Sequence, residues 1–430
     1  MRIAFIVPGT GGTFYCQNCV RDTALVRALS ARGHDVVMLP LYLPLLSDAG
    51  DLAAGAPVFF GGINAYLQQR FEVFRRTPRW FDRLLDATWM LRRAARREGT
   101  VSAAKLGPMT LSMLEGPQGN QSKELDRLVA WARGQQRPDV IHISNALLLG
   151  LVGELKRALD VPIVCSLQDE DTWLDAMETP YNSRCWEAMA ERASDVDAFV
   201  AVSRWYADQM TERMSVPRDR MAVVPLAVDL GVVEPGPLPF DPPVIGYLSR
   251  MSESQGLGLL VDALIELKQD PRLRDLRFKA TGGMVGPDKA FVAGLKRKLK
   301  RHGMQGAAEF LPDFGQPERR EFLKSVSVLS VPAVRGEAFG GFILEALAFG
   351  VPVVQPSAGA FPELVKDTGG GLLYELEEEN GLKKALMTLL LDPAYSKELG
   401  QQGRETVVAR YGIDRMVSDM LAVYRSLGVT

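Results

Sequence analysis

Short runs of Val, Ile, Leu and Ala, separated by longer amphipathic stretches, constrain the fold of this chain most strongly. In the first half these runs include Ile3–Val7, Val140–Ile143 and Ala198–Val202, and in the second half Val244–Leu248 and Val351–Gln355. Continuous apolar runs are typical of parallel strands, because the helices that connect such strands cover both faces of the sheet. The pattern therefore predicts an α/β protein built on parallel sheets.

The alternation of strands and helices is interrupted at residues 231–243 (GVVEPGPLPFDPP), where five prolines favour a linker. A chain of 430 residues is long enough for two domains. We therefore expect a first Rossmann-like domain at residues 1–230 and a second at residues 244–410, facing each other across a cleft. Residues 411–430 are expected to include a final helix that could pack back on the first domain.

The composition, with 47% hydrophobic and 24% charged residues, is that of a globular protein in water. The net charge of −2 argues against a protein that coats nucleic acid. No apolar run approaches the roughly 18 residues needed to span a bilayer. The N-terminal sequence MRIAFIVPGT resembles a first strand and a glycine turn rather than a signal peptide. We therefore expect a cytoplasmic protein.

The segment Arg70–Glu98 departs from the α/β rhythm, since it carries nine Arg and four acidic residues interleaved with aromatic side chains. An amphipathic helix rich in Arg and Trp can bind anionic lipid at the inner face of a membrane. The alternative is an insertion that packs on the first domain and exposes a basic face to water. Both interpretations remain open at this point.

The chain has four cysteines, Cys16, Cys19, Cys165 and Cys185, which are too few for a disulfide scaffold and indicate a reducing compartment. Cys16 and Cys19 have the spacing of a redox pair or of half a metal site. The simpler interpretation is that they are packed thiols at the start of a helix.

Two carboxylates stand out in the stretch RGEAFGGFILEALAFG, residues 335–350. Glu345 is the only charged residue in an apolar helix that we expect to begin near Gly341, and Glu337 precedes the glycine turn. A helix N-terminus attracts phosphate through its unpaired N–H groups. A desolvated carboxylate one turn further needs donors, which the two hydroxyls of a ribose would supply. The alternative is a solvent-facing Glu345.

This pair of glutamates, separated by seven residues, resembles the signature of the family-4 retaining glycosyltransferases, which have the GT-B fold. Further motifs match the family in the same order along nearly the whole chain: Gly11–Gly12, Arg32–Val36, Pro138–His142, Ala201–Ser203, Val224–Pro225, Gly246–Arg250, Thr281–Gly283 and Phe361–Val365. The resemblance implies a nucleotide-sugar glycosyltransferase in glycan, glycolipid or cell-envelope biosynthesis. Its donor could be linked to UDP, GDP or ADP.

The resemblance also implies roles for residues of the second domain. Glu345 would bind the donor ribose and Glu337 a hydroxyl of the transferred sugar. Arg250 would neutralise the departing diphosphate. The remaining donor contacts are expected from the loop at Gly12 and from the backbone of Phe339, Gly340 and Gly341. Such enzymes need neither a cofactor nor a bound metal, because cationic groups and helix ends stabilise the phosphates.

Gln255 departs from the family pattern, because the family usually has a lysine there. A unit charge 4 Å from a phosphate contributes about 4 kcal/mol at an effective dielectric of 20. Another cation could substitute for it, and Arg335 is preferred over Lys289. We retain Gln255 among the expected donor-binding residues.

The acceptor side departs from the family at more positions. Ser144 and Gln168 stand where histidines are common, and His142 precedes them in the same region. These three residues and Asp171 are candidates for the acceptor side, and Asp169 is a candidate to orient an acceptor hydroxyl. Asp169 and Asp171 also fit the Asp-x-Asp metal motif of a different glycosyltransferase fold, which the two-domain pattern argues against.

Two other functions compete with glycosyl transfer. A dinucleotide oxidoreductase would need a third glycine where Phe14 stands and an acidic residue after the second strand, and both are missing. The stronger rival is a GT-B protein that binds a nucleotide-sugar or a partner without turnover. The glutamine at residue 255 favours this rival, whereas Glu337, Glu345 and Arg250 favour an enzyme.

Overall fold

A computed structural model describes residues 1–9, 15–42, 59–60, 62–77 and 103–430. The chain forms two compact units, each built on its own sheet. The first contains residues 1–12, 18–224 and 417–430, and the second contains residues 13–17 and 225–416.

The first unit contains a six-stranded parallel sheet of order β2-β1-β3-β4-β5-β6. Its strands are β1 (Arg2–Val7), β2 (Asp35–Pro40), β3 (Val140–Ile143), β4 (Ile163–Leu167), β5 (Ala198–Ala201) and β6 (Met221–Val223). Every residue of β3, β4 and β5 is buried, because helices cover both faces of these strands.

The helices along the first half of the chain connect these strands. In the described residues they are α1 (Gln17–Ala31), α2 (Gly62–Arg70), α3 (Ala103–Leu114), α4 (Ser122–Arg133), α5 (Val152–Leu159), α6 (Glu170–Leu174), α7 (Tyr181–Arg192) and α8 (Arg204–Met214). The residue before α8 shows how the sequence determines where a helix begins. The hydroxyl of Ser203 accepts a 3.0 Å hydrogen bond from the Tyr206 N–H and so caps the helix.

The second unit repeats the architecture with a parallel sheet of order β12-β11-β10-β7-β8-β9. Its strands are β7 (Val244–Leu248), β8 (Arg277–Thr281), β9 (Ala308–Phe310), β10 (Val328–Leu329), β11 (Val353–Pro356) and β12 (Gly371–Tyr374). The helices along the second half of the chain are α9 (Leu257–Leu267), α10 (Gly286–Arg301), α11 (Gln316–Lys324), α12 (Gly341–Ala348), α13 (Phe361–Thr368), α14 (Gly381–Leu391), α15 (Pro393–Arg410) and α16 (Ile413–Ser426).

The predicted α/β class with parallel sheets is confirmed in both units. The strands predicted at Val140–Ile143 and Val244–Leu248 begin and end at the predicted residues. Both strands are buried along their whole length. The division between the units lies after Val224, and the last helix α16 extends from Ile413 to Ser426, with the residues from Val417 onward in the first unit.

The Arg-rich segment Arg70–Glu98 lies mostly outside the described residues, which end at Thr77 and resume at Ala103. Its described part contains the end of α2 and a 3₁₀ turn at Glu72–Arg76, where Phe71 and Val73 are exposed. Among the residues that the structure describes, no helix is both long and apolar enough to cross a membrane.

The four cysteines divide into two classes. Cys165 and Cys185 are buried free thiols, whereas Cys16 and Cys19 are disulfide-bonded. The interpretation of Cys16 and Cys19 as packed thiols is therefore wrong. A disulfide sulfur is not the thiolate that a metal site requires, and the described ranges contain no group of three or more His, Cys, Asp or Glu residues that could hold a metal ion.

Candidate functional site

The N-terminus of α12 forms the centre of the candidate site in the second unit. Gly340 precedes the helix with a φ of 101°, which favours glycine, and Gly341 is the first helical residue. The N–H of Gly341 donates a hydrogen bond to the side-chain oxygen of Gln17, which belongs to the same unit. A Cβ atom at Gly341 would lie 2.9 Å from that oxygen, so glycine allows the close approach.

Glu345 lies one turn inside α12, and both of its carboxylate oxygens accept hydrogen bonds. The Tyr15 hydroxyl donates to Oε1 at 2.6 Å, and Nε of Arg319 donates to Oε2 at 3.0 Å. The Arg319 and Glu345 side chains are only 12% and 16% exposed. Glu345 is therefore a largely desolvated carboxylate, as the spacing predicts, and the solvent-facing alternative is wrong.

Tyr15 is held in place by three contacts within the second unit. Its backbone N–H donates to the Gly282 carbonyl at 2.8 Å, and the Arg319 guanidinium lies 5.1 Å from the centre of its ring. Burial and the neighbouring Glu345 carboxylate raise the pKa of its hydroxyl well above the usual value. Tyr15 therefore remains a hydrogen-bond donor to Glu345 throughout the neutral pH range.

Glu337 lies in the loop before α12 and is half-buried. Its Oε2 accepts a 2.8 Å hydrogen bond from the side-chain amide of Gln17. Gln17 thus bridges Glu337 and the helix N-terminus: its amide N–H₂ donates to the carboxylate, while its oxygen accepts from Gly341. The described part of the second unit therefore places Glu337, Gly341 and Gln17 together.

Arg250 follows strand β7 and forms a two-point ion pair with Asp288 of α10. The donor–acceptor distances are 2.7 Å from Nε and 3.0 Å from Nη2. Asp288 is 7% exposed and also accepts from the Val285 N–H, whereas the Arg250 side chain is 38% exposed. The buried carboxylate therefore orients a guanidinium that still reaches solvent, which is a suitable arrangement for binding a diphosphate.

Gln255 precedes α9 and is half-buried, and its side-chain oxygen is buried without a hydrogen-bond partner within the described ranges. Arg335 and Lys289, which we considered as substitutes for the missing lysine, are both exposed. Within the described residues, Arg319 is a cation that contacts Glu345. Gly12 lies outside the described residues, and Phe339 is buried beside the α12 turn.

His142, in strand β3 of the first unit, is fully buried and has partners on both ring nitrogens. Nδ1 is 2.6 Å from the Tyr424 hydroxyl, and Nε2 is 2.8 Å from the Ser166 hydroxyl. Burial lowers its pKa well below the usual value. These contacts give His142 a structural role that links β3 to the end of α16.

Ser144 and Gln168 follow the adjacent strands β3 and β4, so they meet at the carboxyl edge of the sheet. The side-chain amide of Gln168 donates to the Ser144 carbonyl at 2.7 Å. The Ser144 hydroxyl and the Gln168 side-chain oxygen are buried and have no hydrogen-bond partner in the part of the chain that is described. Unpaired buried polar atoms are costly, so the pair is well suited to a polar ligand.

The segment Gln168–Asp171 is organised by Glu170, which is 1% exposed. Its carboxylate accepts from the N–H groups of Ala146 at 2.9 Å and Gln168 at 2.7 Å, and from the Tyr206 hydroxyl at 2.7 Å. Burial raises the pKa of Glu170 to about 7. Glu170 therefore holds the backbone that follows the adjacent strands β3 and β4.

The two aspartates that flank Glu170 have different environments. Asp171 accepts a 3.0 Å hydrogen bond from the same Tyr206 hydroxyl. Asp169 precedes α6 with a φ of 61°, a conformation that is uncommon outside glycine, although Asp tolerates it better than most residues. The Asp-x-Asp motif in the sequence does not indicate that Glu170 and Tyr206 are hydrogen-bonded to each other in this segment.

Tyr15, Gln17 and Arg319 belong to the site although no sequence motif indicated them. Gln17 and Glu337 are 320 positions apart, so no local pattern connects them. Tyr15 follows the Gly11–Gly12 motif, whose Gly12 the resemblance assigns to the donor site, by three residues, and this closeness in sequence is the signal that pointed towards the segment.

Two family models match the chain. The model described as Glycosyl transferases group 1 matches residues 234–406, and the model described as Glycosyl transferase 4-like domain matches residues 20–227. The chain belongs to the group 1 glycosyltransferases of the GT-B fold. The family predicted from the glutamate pair is therefore confirmed.

Curated relatives of this group 1 glycosyltransferase cover most of its length. The D-inositol 3-phosphate glycosyltransferase of Actinosynnema mirum is 28% identical over 397 residues, which are 85% of this chain and 92% of the relative. The protein of the same name from Xylanimonas cellulosilytica is 26% identical over 426 residues, which are 91% and 97% of the two chains.

Solved structures confirm the GT-B fold. Sucrose-phosphate synthase from Thermosynechococcus elongatus superposes with a TM-score of 0.73 and 19% identity, covering 100% of this chain and 99% of that one. HepE from Anabaena, solved in complex with UDP-glucose, superposes with a TM-score of 0.69 and 16% identity over 99% and 100% of the two chains.

Proposed function

We propose that this group 1 glycosyltransferase moves a sugar from a nucleoside diphosphate to an acceptor hydroxyl with retention of anomeric configuration. The observation that carries the proposal is the arrangement around α12. A desolvated Glu345 and the half-buried Glu337 flank a helix N-terminus that can receive an oxygen atom. Such a site matches a ligand with hydroxyl groups at both ends and negative charge between them.

In this proposal, Glu345 accepts from the ribose hydroxyls and Glu337 from a hydroxyl of the transferred sugar, while Phe339, Gly340 and Gly341 supply the surrounding surface. A uridine nucleotide is the first donor to test, because HepE has been solved with UDP and with UDP-glucose. GDP- and ADP-linked sugars are the alternatives.

The proposed reaction breaks the bond between the anomeric carbon and the diphosphate oxygen and forms a bond to the acceptor oxygen on the same face of the sugar. The acceptor proton passes to the departing diphosphate, so no nucleophile of the protein is required. Arg250, oriented by Asp288, stabilises the charge that develops on the diphosphate. No metal ion is required for this step.

We place the acceptor at Ser144, Gln168 and the Asp169–Asp171 segment of the first unit, with Asp169 orienting the reacting hydroxyl. Support comes from the two unpaired polar atoms of Ser144 and Gln168. Since His142 already has two partners, it acts by holding this strand edge in place. The relatives are named for D-inositol 3-phosphate, which is therefore the first acceptor to test. The proposed setting is cytoplasmic biosynthesis of a glycan, a glycolipid or the cell envelope.

A protein that binds a nucleotide-sugar without turnover is the second candidate. It is favoured by Gln255, whose uncharged side chain stands where the family usually has a lysine. In that case the donor would bind, and the nucleoside diphosphate would not be released at a useful rate.

The test has two steps. UDP, GDP and ADP are first screened for an increase in melting temperature of the full chain, which a ligand produces by binding the folded state. The sugars of the stabilising nucleotide are then incubated with an acceptor panel, and diphosphate release and the anomeric configuration of the product are measured by NMR. Retained configuration supports the proposal, inverted configuration contradicts it, and tight binding without release favours the second candidate.

A further inference from the structure

The side chain of Gln17 occupies the hydrogen-bonding groups that a donor would use. Its oxygen accepts from the Gly341 N–H, where a phosphate or sugar oxygen would lie, and its N–H₂ donates to Glu337 at 2.8 Å, where a sugar hydroxyl would lie. One amide therefore combines an acceptor and a donor in the arrangement that the ligand would present.

Tyr15 does the same at the other carboxylate. Its hydroxyl donates to Oε1 of Glu345 at 2.6 Å, while Arg319 donates to Oε2. Tyr15 is 6% exposed, so its hydroxyl bond is shielded from water. The Glu345 oxygen that would receive a ribose hydroxyl is thus already bound to a donor of the same chemistry.

We propose that the side chains of Tyr15 and Gln17 compete with the donor for the same hydrogen-bonding groups. In this competition, Gln17 is the residue that sets the affinity for the donor. This inference rests on the proposed function, since it takes the donor to be a nucleotide-sugar held by Glu337 and Glu345. The donor binds only when the two side chains withdraw, and it then replaces each of their hydrogen bonds with one of its own.

The competition has a predictable size. A ligand that binds a minor state of a protein shows an apparent Kd equal to its intrinsic Kd divided by the population of that state. Two hydrogen bonds of ordinary strength, one of them to a carboxylate, would keep the open state at about one tenth of the population or less. Removing the Gln17 amide should therefore lower the apparent Kd by about tenfold.

The chain offers a matched control. Gln136 is an exposed glutamine in the first unit and lies on the loop between α4 and β3. Replacing it with alanine makes the same chemical change as Gln17→Ala at a surface position. A second variant, Tyr15→Phe, removes only one hydroxyl and preserves the ring packed against Arg319. It keeps the test available if Gln17→Ala fails to fold.

The experiment is calorimetric titration of UDP, GDP and ADP into the wild type and the variants Gln17→Ala, Tyr15→Phe and Gln136→Ala. We expect the preferred nucleotide to bind about tenfold more tightly to Gln17→Ala, more tightly to Tyr15→Phe, and unchanged to Gln136→Ala. Affinity that is unchanged or weaker in both of the first two variants overturns the inference and leaves the proposed function intact. If none of the three nucleotides binds to any of the four proteins, both the inference and the proposed function are overturned.

Hydrogen exchange of the Gly341 amide provides a readout that needs no ligand. In the wild type this N–H is bonded to Gln17, so its exchange should be slower than in Gln17→Ala. Equal exchange in the two proteins would show that Gln17 does not occupy the helix N-terminus in solution, and would overturn the inference.

Discussion

The Tyr15 hydroxyl donates a 2.6 Å hydrogen bond to the Glu345 carboxylate, although 330 positions separate the two residues in the chain. This contact joins the segment after the first strand to the helix that carries the family's second glutamate. Together with the Arg319 contact, it shows that Glu345 is a largely desolvated, hydrogen-bonded carboxylate before any ligand binds. The hydroxyl groups of a donor would therefore exchange with existing partners.

Replacing Gln255 with lysine should restore the missing charge beside the diphosphate. The Gln255 side-chain oxygen has no hydrogen-bond partner within the described residues, so the substitution breaks no hydrogen bond of that oxygen there. We expect kcat for diphosphate release to rise at least tenfold, which corresponds to about 1.4 kcal/mol, below the roughly 4 kcal/mol of an unscreened pair at an effective dielectric of 20. Steady-state kinetics with the best donor measures this change.

The control for this prediction is Gln269→Lys, which adds the same charge at an exposed position of the second unit. It should leave kcat unchanged. A value of kcat for Gln255→Lys that equals the wild-type value would show that the substituted position does not contact the leaving group.

Glu170 should make the stability of the protein depend on pH. Its pKa is about 7 in the folded state and 4.5 when unperturbed. Between these values the folded state binds more protons than the unfolded state, so the free energy of unfolding falls as pH rises. Glu170 lowers the free energy of unfolding by about 3 kcal/mol between pH 4.5 and 7, and this decrease is complete above pH 7.

Denaturant unfolding of the wild type and of Glu170→Gln at pH 5 and pH 7.5 tests this prediction. The variant loses part of the network around Tyr206 and will be less stable overall, so the difference in pH dependence is the readout. We expect the decline to be smaller in the variant and unchanged in Glu309→Gln, which alters an exposed glutamate. Identical declines in all three proteins would contradict the shifted pKa.

Reducing the disulfide of Cys16 and Cys19 should increase the affinity for the donor. Gln17 lies between the two cysteines, so its backbone would gain freedom and its side chain would withdraw more easily from Glu337. Dithiothreitol converts the disulfide to two thiols and is itself oxidised. We expect the apparent Kd of the preferred nucleoside diphosphate to fall in the wild type and to stay constant in Gln17→Ala. An equal response in both proteins would show that the disulfide does not act through Gln17.

The Arg-rich segment Arg70–Glu98 can be tested as a membrane contact by sedimentation with vesicles. If it binds lipid, the protein should pellet with phosphatidylserine-containing vesicles at low salt and be released at high salt, since surface electrostatic attraction is screened. Neutral vesicles are the control. Failure to pellet with anionic vesicles would favour the packed insertion.

The sequence predicts the buried interior strands well and misses one strand at the edge of the second sheet. Strands β3 and β7 are buried at every position and consist mainly of apolar residues, and their bounds were predicted correctly. Strand β12 was missed, because Gly371, Leu372 and Leu373 are only half-buried at the edge of the sheet and follow two further glycines. A short edge strand that follows glycines lacks the Val- and Ile-rich run that is typical of an interior parallel strand.

Some residues of the candidate site could also be predicted from the sequence, whereas others could not. The spacing of Glu337 and Glu345 around a glycine turn could be interpreted from the sequence, because helix geometry connects the residues locally. The partners of these glutamates could not, since Gln17 and Tyr15 approach them only in the folded second unit. His142 shows the opposite case: it matches a family motif, yet the fold uses both of its ring nitrogens for internal hydrogen bonds.

The most direct test of the account is calorimetric titration of the preferred nucleoside diphosphate into the wild type, Glu345→Ala and the surface control Glu309→Ala. Hydrogen bonds to a carboxylate contribute about 1.5 to 3 kcal/mol, so we predict that Glu345→Ala weakens binding by roughly 10- to 150-fold while Glu309→Ala has no effect. Equal affinity of Glu345→Ala and the wild type would contradict the central claim that Glu345 binds the donor ribose.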